Sequence, residues 1–550
     1  MRVGSQATQT RLDGAFVLTG IPAGTDTLRV TMIGYAPVAR AVTVSADEAL
    51  DIDIGLAPQA TELAELVVVG YGEQRQGNVT GALTNVTSEE FNKGRIVTPT
   101  ELIQNKVAGV QVVENTEPGG KTSIRIRGGT STTASNEPLY VIDGQPLTAG
   151  AGATSGRDPL NFINPDDIAS MTVLRDAGAA AIYGTNAANG VVLITTKRGR
   201  AGQPMKVEYT GSVSASTITR IPSMLNAEQF RTAVEQFAPV AADSQLLNAN
   251  TEWFDAIDRT GFGQEHNVAL SGGGTTNDYR VSLNFLDQHG IIDANSAQRI
   301  GLGLNFNQLL AGDRLNLRFS LRGSRTEDHF TPLGVLSNAS QYGPTQPIED
   351  PGSPTGFYEW GPPNNSSTSA DNPVAILNLA EEKAETYRAI GNAQTEYRLP
   401  WVEGLKANLN LGFDASDGKR RNFKPSVLHR EQATGQGGQQ TRYNPQQTST
   451  VLETYLNYTT PRPLGPGILD LTGGYSWSQT HIDSIYYEGT GLSSDEGGTE
   501  QIVPAANTTN IEFEQQSKLI SFFGRLNYNI NDRYILAASL RYDGSSRFGE

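Results

Sequence analysis

The sequence predicts a mainly β chain: a small N-terminal β-sandwich, a mixed α/β unit, and about half of a roughly 22-stranded antiparallel transmembrane β-barrel. Three observations carry this. From Met205 onward, apolar and polar residues alternate in about eleven segments of roughly ten residues. The connections between those segments sort into short and long. Glycine and proline are abundant, with 59 Gly and 27 Pro in 550 residues, which favours turns and strands over helix bundles.

The alternation is explicit at Met205, Val207, Tyr209, Gly211 and Val213, and again at Tyr279, Val281, Leu283 and Phe285. It recurs at Ile300, Leu302, Leu304 and Phe306, at Leu315, Leu317, Phe319 and Leu321, at Leu405, Ala407, Leu409, Leu411 and Phe413, and at Tyr534, Leu536, Ala538, Leu540 and Tyr542. Weaker instances lie near 264–271, 386–398, 451–459, 467–478 and 516–529. The opposite row carries Arg280, Asn284, Arg318, Arg322, Lys406, Asn410 and Arg541. An apolar outside facing lipid and a watery interior satisfies both rows. On that facing, Leu317→Arg costs roughly 2–4 kcal/mol if it lies near midplane, and Arg318→Gln is tolerated.

Connections at 271–277, 308–312, 399–404, 459–465 and 530–532 are short. Those at 217–263, 323–385, 414–449 and 479–514 are long, and 287–298 is intermediate. Turns on one side and long loops on the other are the pattern of an outer-membrane barrel. About eleven strands leave two unpaired edges, each costly in lipid. With the chain stopping at Phe548-Gly549-Glu550, the expectation is the N-terminal part of a larger protein.

Before the barrel three units are expected: 1–58, 59–72 and 73–200, with the barrel occupying 201–550. In the first, Asp13-Gly14 turns into a strand at 15–18, strands follow at 27–33 and 39–44, and Leu50, Ile52, Ile54 and Leu56 alternate with Asp51, Asp53 and Gly55. Through Asp13-Gly14-Ala15-Phe16 and Ile33-Gly34-Tyr35 this unit resembles the carboxypeptidase regulatory-like domain, a resemblance that implies an Ig- or transthyretin-like sandwich and no protease. The short strand Leu66-Val67-Val68-Val69 reads equally as the sandwich's last strand or as one that adds to another protein's sheet edge.

In the α/β unit, Asn164-Pro165-Asp166-Asp167 starts a helix: Asn caps, Pro occupies the first turn, and two carboxylates meet the positive end. The cap accounts for both carboxylates better than a catalytic acid pair does. Arg125 and Arg127 are two apart on one strand and share a face, fit for ion-pairing to a surrounding wall or for a ligand. Asp143-Gly144 is a hairpin turn.

The net charge of −16 argues against nucleic acid, which needs basic patches. The absence of cysteine excludes disulfides and thiolate sites. No run of about 18 apolar residues exists for a transmembrane helix, and residues 1–15 lack a signal-peptide pattern. Five scattered histidines show no zinc-ligand spacing, and no phosphate-binding loop is present, so no cofactor is expected.

Residues 66–200 resemble the plug of SusC/RagA-type TonB-dependent outer-membrane transporters. The motifs are Val67-Val68-Val69-Gly70-Tyr71-Gly72, Ala108-Gly109-Val110, Ile124-Arg125-Ile126-Arg127-Gly128 and Pro138 to Gly144. They continue with Asp176-Ala177, Ala180-Ala181-Ile182-Tyr183-Gly184 and Ala188-Asn189-Gly190-Val191. The resemblance implies a TonB box at Leu66, Val67, Val68, Val69 and Gly70. It implies plug-motif roles for Arg125, Arg127, Gly128, Asp143, Gly144, Asp176, Tyr183, Gly184, Asn189 and Gly190. It further implies import of large nutrients across the outer membrane, with the first domain in the periplasm, TonB with ExbB and ExbD as energy source, and a SusD-like surface lipoprotein as partner. The other reading is a barrel-anchored surface binder or adhesin without transport. Trp253, Trp360, Trp401, Trp477, Tyr358 and Tyr486 are candidates for stacking on sugar rings or for the interfacial belt.

Overall fold

The structure is a computed structural model. It describes 83–547 except 114, 130–134, 149–156, 177–180, 240–245 and 361–368, and before these 2–3, 6–8, 10, 14–31, 38–45, 49–56, 66–68 and 73–75. Asp13, Ile33-Gly34-Tyr35, Val69 to Gly72 and Ala177 to Ala180, all used as motifs above, lie outside the described residues. The chain divides into two compact units, Met1–Leu66 with Arg75–Gly77, and Val67–Gln74 with Asn78–Glu550.

The first unit holds a four-stranded sheet of β1 (Arg2–Val3), β2 (Gln6–Ala7), β3 (Gly24–Val30) and β4 (Val38–Val44), in the order β2-β1-β3-β4. Leu28, Val30 and Val42 form its buried centre. The segments 15–18 and 50–56, expected as strands, belong to no ladder. Their apolar side chains nonetheless cover that centre, with Phe16, Leu18, Ile52, Ile54 and Leu56 half-buried against it. The alternation reports which side chains face the core, and an extended segment obeys it without sheet hydrogen bonds. The strand β5 (Leu66–Val68) is not part of this sheet; it pairs with β6 (Glu73–Arg75) in a separate two-stranded ribbon.

In the second unit, β7 (Leu83–Thr87) is followed by the hairpin of β8 (Val110–Val113) and β9 (Ser123–Ile126). Then come β10 (Leu139–Ile142), β11 (Gln145–Pro146), β12 (Ile168–Leu174) and β13 (Val191–Thr196). Five of these make a sheet in the order β11-β10-β13-β12-β7. Its central strand β13 runs parallel to β10 and antiparallel to β12. A strand covered on both faces reads as a continuous apolar run, and Val191 to Ile194 are all buried. Met171, Val173, Val192 and Ile194 pack on Ile103, Ile124, Leu160 and Ile163.

The eleven expected strands form one antiparallel sheet in strict sequence order, β14 to β24. They are β14 (Lys206–Ser216), β15 (Gly261–Gly272), β16 (Asn277–His289), β17 (Ser296–Leu310), β18 (Leu315–His329), β19 (Glu381–Arg398), β20 (Leu405–Lys424), β21 (Gln439–Thr459), β22 (Gly467–Leu492), β23 (Ala505–Ile530) and β24 (Tyr534–Ser545). In β16 the buried row is Asp278, Arg280, Ser282, Asn284, Leu286 and Gln288, while Leu283 opposite is exposed. A soluble sheet buries its apolar row; this wall buries the polar one, as a lipid-facing barrel does.

Several strands are far longer than expected, with 26 residues each in β22 and β23 against the roughly ten needed to span. Much of what reads in sequence as long loops at 414–449 and 479–514, and only the two ends of 323–385, is therefore strand. Apart from Ile511 and Phe513 of β23, these extensions are rich in charge and amides, so they show little of the hydrophobic alternation by which strands are recognised. The remaining long connections still lie on one side. They carry the helices Ala227–Phe237, Val335–Gln341, Pro373–Leu379 and His429–Ala433. Trp253, Ile257, Ile292, Val335, Tyr342, Ile376 and Leu428, drawn from four connections, pack there into a second apolar core.

Candidate functional site

The region with the densest buried chemistry is the seam where the α/β unit meets the polar face of the wall. The turn Asp143-Gly144 joins β10 to β11 with both residues at positive φ, 49° and 92°, the two-residue hairpin expected. A Cβ on Gly144 would lie 2.7 Å from Gln394 Nε2, so the turn sits directly on the wall. Asp143 Oδ1 accepts from Thr196 N at 3.0 Å, and Oδ2 accepts from Thr196 Oγ1 at 2.6 Å, Ser320 Oγ at 3.2 Å and Arg322 Nη2 at 3.1 Å. Its carbonyl accepts from Asn392 Nδ2 at 2.9 Å and Gln394 Nε2 at 2.8 Å. Burial would raise the Asp143 pKa, but Arg322, Arg198 and the two Thr196 hydrogen bonds outweigh it and hold the carboxyl below the usual range.

A second tie is Asp167. Asn164 caps the turn as expected, accepting from Asp166 N at 3.0 Å, but the turn is a single 3₁₀ turn, Pro165–Asp167, that runs straight into β12. Asp167 points to the wall, accepting from Arg280 Nη2 at 3.0 Å and from Ser282 Oγ. Arg299 of β17 donates to the carbonyls of Asn161 at 2.9 Å and Ile163 at 3.3 Å. Further round, Arg388 is paired with Asp414 at 2.8 Å and donates to Pro159 O at 3.2 Å. Asp414 also accepts from Thr148 N at 3.2 Å. Arg541 of β24 donates to Ile182 O.

Arg125 and Arg127 do not form the paired face expected of them. The strand ends at Ile126, and Arg127 has left-handed backbone at φ 57°, which turns its side chain away. Arg127 pairs with Asp176 inside the same α/β unit rather than with the wall. Arg125 is exposed and makes no ion pair among the described residues. Asn189 Nδ2 donates to Ser135 O at 2.8 Å, and Tyr183 packs beside Leu139 and Val191. Gly128, Gly184 and Gly190 all have positive φ, and a Cβ on Gly190 would meet Leu174 O at 3.0 Å. Trp253 is buried in the loop core with Tyr342, at 4.9 Å between rings, and Trp360 packs on the same core; Trp401 is exposed on a short turn.

Sequence reasoning missed Thr196, Asp167 as a tie, Arg157, Arg299, Arg388, Asp328 and Asp414. Arg299 and Arg388 were findable: extending the polar row of β17 or β19 along its period of two reaches them. Asp167 was hidden because its cap position explained it already.

Asp158, buried near this seam, accepts from Leu160 N at 2.7 Å and Thr122 N at 3.0 Å. Burial pushes its pKa up to about 6. A raised carboxyl binds protons more readily folded than unfolded, so its contribution to stability falls as pH rises from about 4 to 6, by up to about 3 kcal/mol. Denaturant unfolding of the full-length protein at pH 5 and pH 7 should show this slope, and Asp158→Asn should flatten it.

The same architecture occurs in known proteins. Residues 75–191 match the family model for the TonB-dependent Receptor Plug Domain, and 4–68 match that for the CarboxypepD_reg-like domain. The TonB-dependent receptor SusC of Bacteroides thetaiotaomicron is 31% identical over 99% of this chain and 54% of that protein. Along nearly its whole length the chain is thus similar to SusC-type TonB-dependent receptors, and its plug segment matches their plug model. TonB-dependent receptor P3 of Formosa agariphila is 30% identical over 99% of this chain and 52% of its own length. The chain thus spans about half the length of the curated relatives it matches. Both relatives are named as TonB-dependent receptors. In fold it is similar to the RagAB peptide importer in its open-open state, with TM-score 0.70 at 22% identity over 88% of this chain and 57% of that one. It is also similar to the unliganded ferric citrate transporter FecA, with TM-score 0.57 at 12% identity over 85% of this chain and 57% of that one. The α/β unit between β7 and β13 is accordingly the plug.

Proposed function

We propose that this chain supplies the plug and part of the barrel wall of an outer-membrane importer of large nutrients, oligosaccharides or peptides. Its first domain faces the periplasm, and the boundaries are 1–58, 59–72, 73–200 and 201–550. TonB, energised through ExbB and ExbD, pairs by main-chain hydrogen bonds with the strand beginning at Leu66 and pulls on the plug. A SusD-like lipoprotein delivers substrate on the long-loop side.

The observation that carries this reading is the chemistry of the seam. The plug is held by buried ion pairs and hydrogen bonds to a polar wall, such as Asp143 with Arg322 and Asp167 with Arg280. Hydrogen bonds give up little net free energy when exchanged for water, about 0.5–1.5 kcal/mol each. A plug so held stays seated at rest yet lets go under work, whereas an apolar seam would resist wetting. No helix among the described residues is long and apolar enough to cross a membrane.

Deleting Leu66–Val69 from the full-length protein should abolish energised uptake while leaving substrate binding at the cell surface intact. Uptake that survives the deletion would instead favour a passive pore or a surface adhesin.

A further inference from the structure

On the long-loop side of the seam, one plug residue reaches out of the plug altogether. Arg157 is almost fully buried, and its Nε donates to Asp328 Oδ1 at 3.0 Å while Nη2 donates to His329 O at 3.2 Å. Its guanidinium lies 4.0 Å from the ring centroid of Phe330. The other cation on that ring is Arg420 of β20, at 4.6 Å, whose Nε donates to Glu382 Oε1 at 2.9 Å. Phe330 N donates in turn to Glu382 O at 2.9 Å.

Phe330 is the first residue after β18, and Glu382 lies at the start of β19, so the stack Arg157, Phe330, Arg420 and Glu382 clamps both stems of the 330–380 connection. That connection carries Val335, Ala339, Tyr342, Ala375, Ile376 and Leu377, the larger part of the loop core. On the plug side, Asp158 next door binds Thr122 N, which leads directly into β9. Arg157 therefore stands between two packed bodies. Withdrawing it would leave Asp328 buried without its partner, a strongly unfavourable state, so neither body moves far while the stack is intact.

We infer that Arg157 is a positioning residue that couples the seating of the plug to the packing of the 330–380 loop body. Loosening either side at the stack loosens the other. Such a link gives whatever binds the loop side a mechanical route to the plug.

The test is hydrogen exchange on the full-length protein in detergent, following 335–341 and 373–379 in the loop body and 122–126 in the plug. In Arg157→Lys, which keeps the charge but loses the planar stack, exchange in the two loop helices should rise about tenfold, as expected for loss of a desolvated guanidinium–ring contact. In Phe330→Leu the plug segment 122–126 should rise comparably, and the double variant should add little to the larger single effect. Arg280→Lys, which weakens a different tie, should leave the loop helices unchanged. Exchange changes confined to the mutated side, additive effects in the double variant, or an equal loop response to Arg280→Lys would each overturn the coupling. Exchange is read without transport, so this result and the uptake result for the Leu66–Val69 deletion fail independently.

Discussion

Asp143→Asn is expected to destabilise the seated plug by about 3–5 kcal/mol. The carboxylate is 1% exposed and Arg322 5%, so solvent neither screens the pair nor replaces it. Removing the negative charge leaves the guanidinium buried beside Thr196 and Ser320 with no counter-charge, and the lost hydrogen bond from Thr196 Oγ1 adds to the cost. The effect should reside in the plug, because the wall ladder between β17 and β18 runs unbroken past Arg322. Limited proteolysis of the full-length protein in detergent should cut within 83–196 at much lower protease concentration while the wall stays intact. Adding Arg322→Met should restore part of the loss, since the stranded charge goes with it. Wild-type resistance in the single variant would mean that the seam is held by something other than this tie.

Leu302→Arg is expected to cost roughly 2–4 kcal/mol in folding into a bilayer. Leu302 lies midway along β17 on the exposed row, directly opposite Leu283 on β16. Leu317 was the natural choice from sequence, but it sits two residues into β18, close to a short turn, where the cost of arginine falls to about 0–1 kcal/mol. Urea titration of the full-length protein in lipid vesicles should separate the two variants. Equal costs would mean that the exposed row does not face lipid.

The wall was legible because lipid and water impose opposite demands on alternate residues, so Leu283, Leu302 and Phe319 repeat on one face and Arg280, Arg322 and Asn410 on the other. That signal ends where the membrane ends. Above it β20 to β23 continue with mostly polar residues, and little in the sequence beyond Ile511 and Phe513 distinguishes them from loops. Short turns with forced backbone, such as Asp143-Gly144, were legible for the same local reason. Partnerships were not. Arg127 with Asp176 and Arg157 with Asp328 join residues far apart in sequence, and only the fold decides whether a buried arginine meets plug or wall. Trp253 shows the limit from the other side: an aromatic that composition offers to a ligand is spent on the loop core.

These 550 residues contain no cysteine, so thiols introduced into plug and wall have no native thiol beside them in this sequence. The most direct test of a plug seated within the wall pairs Asp167→Cys with Ser282→Cys in the full-length protein, treated in outer membranes with a short bismaleimide. Asn305→Cys with Ser320→Cys, register partners on adjacent wall strands, serves as the positive control. Cross-linking of both pairs, with plug and wall fragments remaining joined after proteolysis between them, is the predicted result. Cross-linking of the control pair alone would contradict it.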